Sequence, residues 1–235
     1  MFYGLITESE CMSQSAQPYG SPVLHEDLAL KYLLRLPKTK PVTQKALIVM
    51  HGVGSNELDL FRLFTNLPDD LLIISARAGY TLGPGRYAWF RVDFSTGKRV
   101  IDEEQEIESR ATIKTFITLV TKKYSIDELY IGGFSQGAIM GCSVGLTSPG
   151  MVKGVIALSG RIIIQIRPSV QKSTELSNLK VFLSHGLYDH TLPVSYAREA
   201  KEYLISLGVQ LVYHEYPIGH QVNKEVFSEI EKWIG

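Results

Sequence analysis

The sequence predicts an α/β domain with a mostly parallel central sheet and helices on both faces. Three observations carry this. Short apolar runs such as ALIVM, LLIIS and LKVFLSHG alternate with longer amphipathic segments, as buried parallel strands alternate with the helices that cover them. Several of these runs end in glycine-containing turns, and ligands of open α/β sheets bind beyond the C-terminal ends of the strands. The length of 235 residues, with 45% hydrophobic and 20% charged content, suits one globular domain, placed at 23–235.

Residues 1–22 mix Ser, Gln, Gly and Pro without periodicity and predict a poorly ordered leader. From Glu26, EDLALKYLLRLP alternates well enough for a strand, and KALIVMHG continues as a buried strand over Ala46 to Met50 that ends in glycine. ELDLFRLFTNL reads as a helix and LLIISARAG as a buried strand. DEEQEIESRATIKTFITLVTKKY is a long helix with acids early and lysines late, in keeping with the helix dipole. LYIGGF is a strand, and a helix follows Ser135 to about Leu146. VKGVIALSG is the next strand, and 161–178 is irregular. The strand LKVFLSHG, the helix VSYAREAKEYLISLG, the strand VQLVYHEYP and the helix QVNKEVFSEIEKWIG complete the chain.

The 24 basic and 24 acidic residues cancel. No like-charge run exceeds three residues, so no field is present to steer nucleic acid or anionic lipid, and partners are expected to be small or neutral. No stretch is long and apolar enough to span a membrane, and residues 1–16 lack the pattern of an export signal, so the expected location is the cytoplasm, with a homodimer compatible with the sequence. Cys11 and Cys142 lie far apart and show no CxxC or Cys/His metal spacing; Cys142 reads as a buried, inert thiol.

The chemistry begins at LYIGGFSQGAIMG, residues 129–141, where an apolar run ends at Gly133-Phe134-Ser135-Gln136-Gly137. A nucleophilic serine above a sheet needs a turn so tight that the residues two before and two after carry no bulk, which is the content of GxSxG. With 20 glycines in the chain and as many serines, chance supplies such a match in roughly one chain in seven, so the flanking strand and helix decide. A serine also needs a base held by a carboxylate. His220 follows Pro217 and Gly219 on a loop beyond a strand end and fits the base, whereas His214 lies within a strand. Asp189 is the only carboxylate in the loop GLYDHTLP and fits the acid. His185, Asp189 and His190 lack a converging third ligand, so no metal and no cofactor is expected. Oxyanion donors are expected from the Gln136 N–H at a helix N-terminus and from the Val53 N–H in the loop MHGVGSNELD.

HGVG after the first buried strand, GFSQGA, HGLYDHTLP and the final GH together resemble the phospholipase/carboxylesterase family of α/β-hydrolases, which includes acyl-protein thioesterases and small bacterial carboxylesterases. The resemblance runs from about Leu28 to the C-terminus. It implies the α/β-hydrolase fold, a Ser135, Asp189 and His220 triad, and Val53 and Gln136 as oxyanion donors. The family commonly carries a second glycine where this chain has Ala138. SNELD after HGVG and the surroundings of Trp89 also depart from the family pattern, which bears on the substrate more than on the reaction.

Trp89, Phe90 and Tyr87 either line an acyl pocket or pack a long loop. Ile162, Ile163, Ile164 and Ile166 could form an apolar flap, a cover for the sheet edge or an oligomer interface. The expected activity is that of a serine hydrolase cleaving carboxylic esters, thioesters or lysophospholipids through an acyl-enzyme. The rivals are a non-catalytic ligand-binding protein of the same fold and a peptidase or lactone hydrolase.

Overall fold

A computed structural model describes residues 22–39, 41–93 and 100–235. The expected leader, apart from Pro22, and Cys11 lie outside the described residues. The chain opens with β1 (Tyr32–Arg35), β2 (Lys45–Met50), α1 (Glu57–Phe64) and β3 (Leu72–Ala76). Two small antiparallel pairs follow, β4 (Tyr80–Gly83) with β5 (Arg86–Ala88), and β6 (Val92–Asp93) with β7 (Val100–Ile101). Then come α2 (Glu103–Tyr124), β8 (Glu128–Phe134), α3 (Gln136–Thr147), β9 (Gly154–Leu158) and α4 (Thr174–Asn178). The chain finishes with β10 (Lys180–Gly186), α5 (Ser195–Leu207), β11 (Gln210–Tyr216) and α6 (Lys224–Ile234).

Seven strands form the main sheet in the order β1-β3-β2-β8-β9-β10-β11. Only β1 runs antiparallel, against β3, at one edge. The expected strand over 26–37 shrinks to these four residues. His25 and Tyr32 exchange backbone hydrogen bonds of 2.8 and 3.0 Å, so the chain closes a loop before it can extend.

Alternation along the parallel strands sorts side chains into two cores. Ala46, Ile48 and Met50 of β2, with Val155 and Ala157 of β9, face the helices α2 and α3. Leu47 and Val49, with Ile156 and Leu158, face α1 and α6 through Leu60, Phe64, Val226 and Ile230. Continuous apolar runs are therefore required in β2, β3, β8, β9 and β10, which are buried on both faces.

The isoleucines after β9 do not make a flap. Ile162, Ile163 and Ile166 are buried in the α2/α3 core, where a 3₁₀ turn over Ile164–Ser169 folds them inward, and Ile164 alone is left 67% exposed. Cys142 is buried and unpaired, and burial pushes its thiol up to about 12.

The start of α1 is fixed by charge. Asn56 caps it by accepting the Leu58 N–H at 3.0 Å, and Glu57 is buried against Arg77 in a two-pronged pair of 2.6 and 2.5 Å. Arg77 also lies over the Tyr87 ring at 4.6 Å. Burial raises the Glu57 carboxyl, but the hydrogen bonds from Arg77 and from a backbone N–H, together with the Arg77 charge, outweigh it and hold the group below its ordinary value. Removing one member strands a buried charge, so Arg77→Leu is expected to cost about 3 kcal/mol, with part recovered by adding Glu57→Gln. Urea midpoints measure both, and an unchanged midpoint in the single variant contradicts this account.

Candidate active site

Parallel register brings the ends of β2, β8, β9 and β10 to one edge of the sheet, and the side chains singled out by the motifs sit on the loops that leave it. Met50 pairs with Gly133, Phe134 with Leu158 and Leu158 with Ser184.

Ser135 stands between β8 and α3 with φ 54° and ψ −115°, in the left-handed half of the map that a residue with a Cβ rarely enters. Its N–H donates to the Leu158 carbonyl at 2.9 Å and its carbonyl accepts the Ile139 N–H at 3.1 Å, so both sides of the turn are held. The glycines follow from the closeness of the crossing. A Cβ on Gly137 would lie 1.9 Å from the Met50 carbonyl oxygen, and one on Gly133 would lie 2.5 Å from the carbonyl carbon of Gly137. Ala138 is tolerated because a glycine faces it: a Cβ on Gly160 would come 2.6 Å from that of Ala138.

Asp189, on the loop after β10, is buried and surrounded by donors. Its Oδ1 accepts the N–H groups of Thr191 and Leu192 at 2.8 and 2.7 Å. Its Oδ2 accepts His220 Nδ1–H at 2.6 Å and lies 3.2 Å from Nε2 of His185, which also reaches the Leu192 carbonyl at 2.7 Å. Burial would raise the Asp189 carboxyl, but hydrogen bonds from His185, His220 and the Leu192 N–H outweigh it and hold the group well below the usual carboxylate range. With Nδ1 donating to this carboxylate, the neutral His220 ring keeps Nε2 as its acceptor.

The loops bearing Asp189 and His220 are tied together. The N–H groups of Leu187 and Tyr188 donate to the carbonyls of Tyr216 and Ile218 at 2.7 and 2.9 Å. A Cβ on Gly186 would fall 2.2 Å from the Gly219 carbonyl, so only glycine lets the His220 loop cross there. The His220 ring packs on Phe134 at 4.7 Å, and His220 and Ser135 line one cavity of about 570 Å³. Val53, half exposed, lines it too. The Gln136 N–H opens α3 ahead of the Ile139 N–H, which bonds back to the Ser135 carbonyl, so as a first-turn donor it has no acceptor within the helix.

Trp89, Phe90 and Tyr87 do not line this cavity. Trp89 and Phe90 are buried in the core and clamp the Ser135 turn through their backbones. The Gln136 side chain accepts the Trp89 N–H at 2.8 Å and donates to the Phe90 carbonyl at 2.6 Å, and the Trp89 indole donates to the His51 carbonyl at 3.0 Å. Tyr87 pins the Val53 loop instead, by exchanging backbone bonds with Gly54 and Ser55 at 2.8 and 2.9 Å. The sequence motifs did not disclose this clamp or the contact of His185 with Asp189; the spacing of four residues in HGLYD was its only trace. Among the described residues no group of three or more His, Cys, Asp or Glu side chains is placed to hold a metal ion.

His51 completes the frame. Its Nε2 accepts the Ala78 N–H at 3.1 Å, which leaves Nδ1–H to donate to the Gly52 carbonyl at 2.8 Å. Burial holds this ring neutral, with its pKa down at about 4 against an ordinary 6.5. Between those values the unfolded chain binds the proton and the folded one does not, so stability falls as pH drops through the window. The loss from this residue is expected to reach about 3 kcal/mol by pH 4. Urea unfolding across the window should show a shallower slope for His51→Gln, and an identical slope contradicts the assignment.

The sequence profile described as Phospholipase/Carboxylesterase matches residues 36–235. Acyl-protein thioesterase 1 of Debaryomyces hansenii is 26% identical over 227 residues, covering 86% of this chain and 94% of that protein. Esterase YpfH of Escherichia coli is 29% identical over 176 residues, covering 70% of each. The crystal structure of a carboxylesterase from Mesorhizobium loti superposes with a TM-score of 0.78 at 21% identity, covering 91% of this chain and 98% of that one, which shows a common fold.

Proposed function

Because the chain belongs to the phospholipase/carboxylesterase family, we propose that it hydrolyses carboxylic esters through a Ser135, His220 and Asp189 triad and an acyl-enzyme intermediate. The observation that carries this reading is the 2.6 Å bond from His220 to a buried, ionised Asp189, with the His220 ring and Ser135 on one cavity wall.

In this mechanism His220 Nε2 takes the proton from Ser135 Oγ as that oxygen bonds to the ester carbonyl carbon. Asp189 holds the ring tautomer and stabilises the imidazolium that forms. The oxyanion is held by the N–H groups of Val53 and Gln136, the second at the positive end of α3. Collapse breaks the bond to the alcohol oxygen, which leaves with the proton from His220. Water then attacks the acyl-enzyme, losing a proton to His220, which passes it to Ser135 Oγ as the acyl–oxygen bond breaks and the acid is freed. The strained Ser135 backbone supports the same reading, since unusual dihedrals persist where surrounding structure over-determines them. Thioesters fit the same steps, and two of the relatives' names, a thioesterase and an esterase, support both substrate types.

A non-catalytic ligand-binding role leaves the tie from Asp189 to His220 without a task. The test is hydrolysis of p-nitrophenyl acetate by Ser135→Ala, His220→Ala and the double variant. Each single change is expected to lower kcat/KM by at least about a thousandfold, and the double is expected to be no slower than either, because the groups act as a unit. Full activity in folded Ser135→Ala refutes the nucleophile.

A further inference from the structure

His185 is a polar residue in an apolar place. Strand alternation puts its side chain on the face of β10 shared with Val181 and Leu183, which pack into the α2/α3 core, and the side chain is wholly buried. Its Nδ1 is buried as well and, among the described residues, meets no hydrogen-bond partner. A buried nitrogen without a partner costs free energy that an apolar side chain of similar size would avoid. The offset lies at Nε2.

Nε2 stands 2.7 Å from the Leu192 carbonyl oxygen and 3.2 Å from Asp189 Oδ2. A carbonyl can only accept, so Nε2 carries a hydrogen, and the carboxylate faces the positive end of that same N–H bond. Both contacts close on Asp189. Leu192 donates its own N–H to Asp189 Oδ1 at 2.7 Å, so in holding the Leu192 carbonyl His185 also holds the residue that fixes Oδ1. Oδ2 is the oxygen that takes the His220 Nδ1–H at 2.6 Å. Against the rise that burial imposes on the Asp189 carboxyl, His185 is the largest opposing influence, ahead of His220.

The two histidines differ in footing. His185 lies within β10, opposite Glu215 of β11, whereas Asp189 and His220 lie on loops beyond the strand ends. A strand of the sheet is the firmer anchor. We propose that His185 is a positioning residue, which ties the Asp189 carboxylate to the sheet so that Oδ2 keeps its direction toward His220. This assignment rests on the esterase reading above, and His185 touches no reacting atom in it. Acylation and deacylation both use His220, so a misdirected Asp189 slows both alike. The loss falls on kcat and leaves KM nearly unchanged.

The experiment separates the two ring nitrogens with p-nitrophenyl acetate as substrate. A glutamine amide reaches the place of Nε2 and keeps the donor, an asparagine amide reaches only that of Nδ1, and leucine supplies none. His185→Leu and His185→Asn are each expected to lower kcat about thirtyfold with KM within about twofold, and His185→Gln to stay within about threefold of the wild type. In an Asp189→Asn background, His185→Leu should lower kcat no further, because the carboxylate it positions is gone. Circular dichroism checks the fold, and should His185→Leu not fold, asparagine against glutamine makes the same comparison. Unchanged kcat in folded His185→Leu or His185→Asn, equal losses with asparagine and glutamine, or a thirtyfold loss repeated in the Asp189→Asn background overturns the assignment, as does failure of all three single variants to fold. A folded wild type that hydrolyses no p-nitrophenyl ester overturns the esterase reading and this assignment with it, whereas an active wild type indifferent to His185 overturns this assignment alone.

Discussion

Gly137 lies so close to the end of β2 that a Cβ there would stand 1.9 Å from the Met50 carbonyl oxygen. Everything at the site hangs on that crossing. β2 and β8 run parallel with Met50 opposite Gly133, so the chain leaving β8 must turn at once to clear the end of its neighbour. The turn is tight enough to force Ser135 to a φ of 54°, and it starts α3 with its N–H groups toward the same edge. The loop after β2 meets the turn there, with the Gly52 position 3.4 Å from Ser135 Cβ when a Cβ is built on it. Ser135 and the loop bearing Val53 are thus neighbours for a reason of backbone geometry rather than of side-chain attraction.

Polar bonds then fix what the backbone brings together. Gln136, buried at the head of α3, grips the backbone of Trp89 and Phe90, and the indole of Trp89 grips the carbonyl of His51. Three loops are so joined without any group that changes charge near neutral pH. On the other side, Asp189 is the hub. It stays ionised in a buried place because two histidine rings and two backbone N–H groups face it, which is the condition for burying a charge at acceptable cost. The carboxylate then sets the His220 tautomer.

The sheet, its parallel sense and the positions of Ser135, Asp189 and His220 on strand-end loops were legible because they depend on local signals: apolar runs of the right length, glycines where bulk is excluded, and chain order. The first strand was legible only in part, since the bridge from His25 to Tyr32 is a contact that alternation along EDLALKYLLRLP does not encode. The aromatic loop illustrates a second limit. Hydrophobicity marks Trp89 and Phe90 as buried but not what they are buried against, and their hydrogen-bonding role runs through backbone atoms that every residue has. That Arg62 of α1 and Arg86 of β5 line one cavity was equally hidden, because no local signal encodes the approach of these two elements.

The central claim is that Ser135 carries the acyl group between the two half-reactions. Acid quenching during steady hydrolysis of a p-nitrophenyl ester, followed by peptide mass spectrometry, tests it directly. The account predicts the acyl mass on the peptide containing Ser135, and its loss from that peptide in His220→Ala. Sustained turnover with no acylated Ser135, or with the acyl group on another residue, would contradict it.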